Sequence, residues 1–147
     1  MDNNLVKLTF VGDMMCDQDQ IAAHKINEET YNFDEIFSDI KSYFIASDYV
    51  VGNLETPVAG KECGYTYKKW QFNSPDAFAE AIKKAGVHLV STANNHCLDR
   101  GTEGVRNTIK TLDRYGIEHI GTYDKIENKK CFIREISGIK IAFLAYT

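Results

Sequence analysis

Short apolar runs alternate along the chain with longer segments in which apolar residues recur every three or four positions. The run at 5–11 is rich in β-branched and aromatic residues and is followed by a glycine, so it predicts a buried β-strand. The segment 33–46 has apolar residues at helical spacing and predicts a helix with one apolar face. Further strands are predicted at 48–51, 88–91 and 117–120.

Turn and cap residues predict where the other elements begin and end. Ser74 predicts the start of a helix that ends before Gly86, because serine favours the cap and glycine the position just past a helix. Thr102 predicts the start of another helix, which ends before Gly116 for the same reason. The segment 56–73 has no clear periodicity and predicts a long loop.

The alternation of strands and helices predicts an α/β fold with a parallel sheet and right-handed crossovers. We expect one domain over residues 1–147. The final segments, 130–136 and 139–146, predict an antiparallel hairpin around Ser137-Gly138. Ligands of open parallel sheets bind outside the carboxyl ends of the strands, so a functional site is expected at that edge.

Composition and charge exclude several classes of protein. Apolar residues make up 44% of the chain and charged residues 26%, as in soluble globular domains. Seventeen Lys and Arg against 21 Asp and Glu give a net charge of −4, which argues against a nucleic-acid partner. No apolar run approaches the ~20 residues of a membrane span, and residues 1–4 lack the basic start of a signal peptide. If the chain is complete, it is expected in the cytoplasm.

The cysteines are scattered and form no CxxC pair, which argues against a structural zinc site. A chain of this size builds its own core and does not need disulfides. We therefore predict that all four cysteines are free thiols: Cys16, Cys63, Cys97 and Cys131.

Polar residues follow each of the first three predicted strands. Parallel strands bring their carboxyl ends to one edge, so Asp13, Glu55, Asn95 and His96 are expected within roughly 10 Å of one another. Carboxylate and amide oxygens with an imidazole suit a divalent metal such as Mn²⁺, Fe²⁺ or Zn²⁺. Such a metal lowers the pKa of a bound water and polarises a phosphoryl oxygen. The simpler alternatives are turn residues, helix caps and solvated side chains.

These segments resemble a known family of proteins. The matching residues are Phe10-Val11-Gly12-Asp13, Asn53-Leu54-Glu55-Thr56-Pro57, and Ala93-Asn94-Asn95-His96 with Asp99. Their order is similar to that in the bacterial capsule synthesis family CapA, which is associated with poly-γ-glutamate. The family is similar in fold to calcineurin-like metallophosphoesterases. The resemblance therefore implies an α/β/β/α sandwich, of which this chain is expected to be the N-terminal half.

The resemblance also implies a set of metal ligands. Asp13 matches the first metal-binding loop, Glu55 the acidic second loop and Asn95 the third. Asn53 is the alternative ligand from the second loop. Metallophosphoesterases begin with Asp-x-His, whereas Met15 stands at the third position here, so one metal position lacks a ligand.

The catalytic roles come from the third loop. The resemblance implies that His96 acts as an acid on a substrate oxygen and that Asp99 orients it, with capping of the next helix as the alternative role of Asp99. Asn94 and Asn53 are expected in the second shell or against substrate. The aromatic and lysine residues of the 56–73 loop are expected to pack or to be solvated, with contact to an anionic polymer as their alternative role.

The expected function is capsule or poly-γ-glutamate biosynthesis, with a metal-dependent hydrolase or transfer site in the full-length protein. The substrate would be an anionic polymer or a phosphoester. The alternative is a non-catalytic module that binds polymer or helps to assemble a membrane-bound capsule synthesis complex, since the family is often membrane-anchored or extracellular. The final strand, 139–146, would lack neighbours, so self-association through an exposed sheet edge is also expected.

Overall fold

The computed structural model describes residues 5–125 and 131–147. Its centre is a parallel sheet in which the strands stand in chain order, β1-β2-β3-β4. The strands are β1 (Leu8–Met14), β2 (Tyr49–Leu54), β3 (Leu89–Ser91) and β4 (Glu118–Ile120). The predicted α/β class with a parallel sheet is confirmed.

Helices cover one face of this sheet. They are α1 (Gln18–Ala23), α2 (Ser38–Ile45), α3 (Asp76–Ala85) and α4 (Gly101–Tyr115). The larger apolar core lies between helices and sheet, and Phe78 and Ile82 of α3 pack there with Val50 and Val90 of the strands. Gly86 and Gly116 follow α3 and α4 in the left-handed conformation, as their positions in the sequence predict.

An antiparallel hairpin covers the opposite face of the sheet. It consists of β5 (Phe132–Ile136) and β6 (Ile139–Phe143). The predicted hairpin is confirmed, although β6 ends at Phe143 rather than at residue 146 and Lys130 lies outside the described residues. Ile136 and Phe143 pack against Tyr49 and Leu89 in a second apolar core. Within the described residues, no helix has the length and apolarity needed to cross a membrane.

Two predicted caps are wrong. Ser74 does not cap α3, because its hydroxyl donates to the Cys16 carbonyl instead. Thr102 lies inside α4, whose cap position is taken by Arg100 without a side-chain hydrogen bond. The short helix α1 was not predicted, although Asp17 and Gln20 form the reciprocal hydrogen bonds of a capping box.

Predicted element boundaries also differ from the structure. β1 begins at Leu8 rather than at residue 5 and continues to Met14. It is an edge strand and not a buried one, and the side chain of Phe10 is 64% exposed. The helix predicted over 33–46 is shorter, because residues 34–37 form turns before α2 begins.

Candidate metal and histidine site

The register of the sheet brings the first two polar segments to the same level. Asp13 of β1 pairs with Asn53 of β2, and Asn53 pairs with Ser91 of β3. The segment with Asn94 and His96 follows β3 directly. The carboxyl ends of three neighbouring strands therefore supply the candidate site, as expected for an open parallel sheet.

A buried polar cluster ties the loop after β1 to the loop after β2. The Thr56 hydroxyl accepts a hydrogen bond from the Cys16 backbone N–H at 3.3 Å and lies 2.7 Å from the Ser74 hydroxyl. Ser74 in turn donates to the Cys16 carbonyl at 3.1 Å. Thr56 and Ser74 are completely buried, so these bonds are shielded from water and hold the two loops together.

Two carboxylates meet at one amide group. The Asn53 Nδ2 atom donates to Asp13 Oδ1 at 2.8 Å and to Glu55 Oε2 at 2.5 Å. Two like charges repel each other, and a hydrogen-bond donor or a cation between them offsets this repulsion. In this structure the donor is the Asn53 amide, so Asn53 lies at the centre of the acidic pair.

A second amide connects this pair to the histidine loop. The Asn94 Nδ2 atom donates to Asn53 Oδ1 at 3.1 Å and to the Leu54 carbonyl at 2.8 Å. Its Oδ1 atom accepts from the His96 backbone N–H at 3.0 Å. One chain of hydrogen bonds thus runs from Asp13 to His96 through loops from three strands.

The His96 ring is fixed by a carboxylate. The Asp99 Oδ2 atom lies 2.9 Å from His96 Nδ1 and accepts a second hydrogen bond, at 2.7 Å, from the Phe72 backbone N–H. The side chains of His96 and Asp99 are 13% and 11% exposed. Because an ionised carboxylate only accepts, the His96 proton resides on Nδ1, and Nε2 is the nitrogen left for proton exchange.

Asn95 differs from the other predicted site residues. Its side chain is exposed and takes part in no hydrogen bond to the described part of the chain. Its assignment as a metal ligand stays a prediction. The structure brings together the other six predicted residues: Asp13, Asn53, Glu55, Asn94, His96 and Asp99.

Sequence reasoning missed two residues that shape the third loop. The Phe72 ring meets the His96 ring edge-on, with centroids 4.6 Å apart, in addition to its backbone bond to Asp99. A Cβ atom on Gly121 would lie 2.5 Å from the Ala93 Cβ, and Gly121 has a φ of +107°. Nothing local in the sequence marks these contacts, because the partners are far apart along the chain.

The donor set fits a cation bound through oxygen. Asp13 and Glu55 supply two carboxylates. The Asn53 oxygen would join them only if the amide turned over, which would break the hydrogen bond that Asn53 Oδ1 accepts from Asn94. Within residues 5–125 and 131–147, no group of three or more His, Cys, Asp and Glu side chains is placed to hold a metal ion.

Together, the parallel sheet, its two covering layers and the polar network at the strand ends define an α/β protein with a candidate site at the carboxyl edge of its sheet. The chain belongs to the family described as "Bacterial capsule synthesis protein PGA_cap", whose sequence profile matches residues 7–147.

Curated proteins agree with this family. The chain is 28% identical to "Capsule biosynthesis protein CapA" of Bacillus anthracis, over 99% of this chain and 36% of the relative. It is 27% identical to "PGA biosynthesis protein CapA" of Bacillus subtilis (strain 168), over 99% of this chain and 38% of the relative. The uncharacterized protein y4sH of Sinorhizobium fredii is 34% identical over 58% of this chain. The chain thus spans little more than a third of the length of the two Bacillus relatives.

Proposed function

We propose that this chain contributes a metal-dependent hydrolase or transfer site to a protein of capsule polymer biosynthesis. The observation that supports this most directly is the hydrogen-bonded chain from Asp13 through Asn53 and Asn94 to His96. It joins a pair of carboxylates to a histidine held by its own carboxylate. Separate acidic and proton-transferring parts of one site are what hydrolysis or transfer at a phosphoester or a polymer linkage requires.

The acidic part of the site would hold the cation. Asp13 and Glu55 balance its charge, and Asn53, with Asn95 as a further candidate, adds neutral oxygen. A bound Mn²⁺, Fe²⁺ or Zn²⁺ would supply Lewis-acid polarisation of a substrate oxygen.

His96 would transfer the proton. Asp99 holds the ring through Nδ1, so Nε2 can donate a proton to the leaving oxygen when the ring is charged. The edge-on Phe72 ring restricts the rotation of the imidazole. Asp99 is a positioning residue, since it acts through His96 rather than on substrate.

The names of the relatives suggest the substrate. Two of them are called a capsule biosynthesis and a PGA biosynthesis protein. An anionic polymer of the poly-γ-glutamate kind, or a phosphoester intermediate of its synthesis, is therefore the substrate class we propose.

Metal binding is the first test. We would titrate Mn²⁺ into the 147-residue chain by calorimetry and compare it with Asp13→Asn and Glu55→Gln. Each substitution should weaken binding at least about tenfold, since it removes a charged oxygen ligand. Asp39→Asn, at an exposed position on α2, is the matched control and should bind as the unaltered chain does. Unchanged affinity in Asp13→Asn would contradict the metal assignment.

Turnover of a chromogenic phosphodiester with Mn²⁺ is the second test. The rate should be low, because Met15 replaces a metal-binding histidine of the related fold. His96→Ala should reduce it by ~10²-fold or more, and Asp99→Asn by ~10–100-fold with a shifted pH profile. Metal binding without any turnover that depends on His96 would favour the alternative, a non-catalytic module. The exposed aromatic and lysine side chains of the long loop are the observation that favours it.

A further inference from the structure

The long loop between β2 and α3 ends in an exposed two-residue turn. Lys68 and Gln71 form an antiparallel bridge, with the Gln71 N–H donating to the Lys68 carbonyl at 3.4 Å, and Lys69-Trp70 close the turn. We call residues 67–70 the 67–70 turn. The side chains of Tyr67 and Trp70 are 65% and 66% exposed, so two large aromatic rings face solvent here.

Trp70 has a backbone conformation that disfavours its side chain. Its φ is +66°, which lies in the left-handed region, where glycine is favoured and a bulky residue is strained. Such strain costs about 1–3 kcal/mol and accumulates at binding and catalytic sites. A glycine would fit this turn better, and the tryptophan side chain is not needed to fill a core.

The two lysines of the turn have no acidic partner among residues 5–125 and 131–147. The Lys68 and Lys69 ammonium groups lie 5.2 and 5.6 Å from the centroids of the Tyr67 and Trp70 rings. Neither forms an ion pair with a carboxylate in the described part of the chain. The sequence from Gly64 to Ser74 contains no Asp or Glu. The turn is thus a local positive patch on a chain whose net charge is −4.

The base of the same loop is bound to the histidine part of the candidate site. Asp99 accepts from the Phe72 N–H at 2.7 Å, two residues past the turn. The Arg100 guanidinium donates to the Gly64 carbonyl at 3.0 Å and to the Gln71 carbonyl at 3.1 Å. Both sides of the loop are therefore hydrogen-bonded to the segment that contains His96, which places the turn at the edge of the candidate site.

We propose that the 67–70 turn is a subsite for an extended polymer of carboxylates. Lys68 and Lys69 would pair with successive carboxylates, and the faces of Tyr67 and Trp70 would pack against the apolar parts of the polymer between them. This rests on the proposed function, because it places the turn beside His96 as the element that holds the substrate chain. The negative net charge excludes general attraction of a polyanion, so binding has to be local.

Trp70 is the single tryptophan of the chain, so its fluorescence reports on this turn alone. We would titrate the 147-residue chain with poly-γ-glutamate and follow the emission, with neutral dextran as the control polymer. The polymer should change the emission, and the effect should weaken as salt is added. Dextran should leave it unchanged. An emission unaffected by poly-γ-glutamate would overturn the proposal.

Paired lysine variants separate local binding from overall charge. Lys68→Gln with Lys69→Gln should weaken polymer binding at least tenfold. Lys41→Gln with Lys110→Gln, at exposed positions on α2 and α4, changes the net charge equally and should bind as the unaltered chain does. Equal losses in both pairs would overturn the proposal.

Trp70→Gly tests the aromatic contribution without harming the fold. Glycine relieves the positive φ, so the melting temperature should stay the same or rise. Calorimetry should nevertheless show weaker polymer binding. Unchanged polymer binding in Trp70→Gly would overturn the proposal. Binding of phosphatidylglycerol vesicles in place of polymer would also overturn it and would identify the turn as a membrane contact.

The subsite and the proposed function fail independently. Polymer should still change Trp70 emission in His96→Ala, whose turnover is lost. Turnover that depends on His96, without any change in Trp70 emission on adding polymer, would contradict the subsite alone. A change in Trp70 emission without such turnover would contradict the proposed catalytic function and leave the subsite supported.

Discussion

Gly121 is a single residue on which the third polar segment depends, although it lies outside the candidate site. It follows β4 with a φ of +107°, and its Cα approaches the Ala93 backbone so closely that a Cβ would lie 2.8 Å from the Ala93 nitrogen. Ala93 directly precedes Asn94 and His96. The position of these two side chains thus requires a residue without a side chain at 121.

Gly121→Ala should therefore destabilise the protein by about 2 kcal/mol or more, from the steric clash and the strained φ together. Urea unfolding followed by circular dichroism measures this. Gly12→Ala is the matched control, because a Cβ at Gly12 meets open space and its φ is not positive. Equal stability of the two variants would show that the close approach to Ala93 is not needed.

At the residue scale, the sequence indicated most of the residues that the structure brings together, but not the hydrogen bonds between them. The chemistry of Asp13, Glu55 and His96 marked them, because charged residues at three strand ends have few structural uses in common. The central place of Asn53 was not predicted, since it depends on the register between β1 and β2. The bond from Phe72 to Asp99 spans 27 residues and involves a backbone N–H, which no side-chain pattern can indicate.

At the scale of elements, Asn73 organises the loop that reaches the site. It is completely buried. Its Nδ2 atom donates to the Gly60 and Gly64 carbonyls at 2.9 Å each, and its Oδ1 atom accepts from the Ala59 N–H at 2.7 Å. One side chain thus satisfies three backbone groups of a loop that has no regular ladder of its own.

Asn73→Ala should cost about 2–4 kcal/mol, because three backbone groups lose their partner in a buried place. Chemical unfolding measures the loss. Asn95→Ala removes the same amide from an exposed position without hydrogen bonds to the described residues, and it should leave the free energy of unfolding unchanged. Equal effects of the two substitutions would contradict the role given to Asn73.

His88, at the amino end of β3, makes the attachment between β2 and β3 sensitive to acid. Its Nδ1 atom accepts from the Val50 N–H at 3.0 Å, which only the neutral ring can do. Burial lowers the pKa of His88, and the nearby charges of Lys83 and Arg134 lower it further, while Glu118 opposes them. Because the pKa is lower in the folded state than in the unfolded state, this stabilisation is present above about pH 6.5 and is lost as the pH falls below it.

We therefore expect the free energy of unfolding to fall between pH 7.5 and pH 5.5, and to fall less in His88→Asn. The amide oxygen of asparagine can accept from the Val50 N–H without titrating. Urea unfolding of both proteins at the two pH values measures the difference. An identical pH dependence would mean that His88 does not contribute to it.

Elements were predicted better than their ends. The strands β2, β3 and β4 and the hairpin appear where apolar runs and turns predicted them, because period and turn chemistry are local properties. The start of α3 was predicted wrongly, because the Ser74 side chain donates a hydrogen bond to the Cys16 carbonyl, 58 residues away, and does not cap the helix. A cap is a local signal only when no distant partner competes for the same hydroxyl.

At the scale of the whole molecule, the four cysteines differ in their access to solvent. All four are unpaired, as predicted, with Cys131 exposed and Cys16 buried. Burial raises the pKa of Cys16 to about 12 and outweighs the opposite effect of its hydrogen bond with Ser74. The thiolate, which is the reactive form, is therefore almost absent from Cys16 at neutral pH.

Thiol titration should accordingly count no more than three groups in the native protein and four after denaturation. The slow modification of Cys16 should follow the global unfolding rate, since this side chain is 1% exposed. Mass spectrometry after timed alkylation identifies the modified residues. Modification of Cys16 as fast as that of Cys131 would show that the core around β1 opens locally.

The sequential order of the strands, β1-β2-β3-β4, also has a consequence for synthesis on the ribosome. Each strand of this sheet pairs with the strand that precedes it in the chain, which has already left the exit tunnel. It therefore adds to a free edge of the growing sheet, and no strand has to insert between two others. Translation proceeds at about 5–20 residues per second, so the Asp13 carboxylate emerges several seconds before the Asn94 amide and His96 that complete its network. The nascent chain thus builds the candidate site one loop at a time, in the order in which the gene encodes the loops.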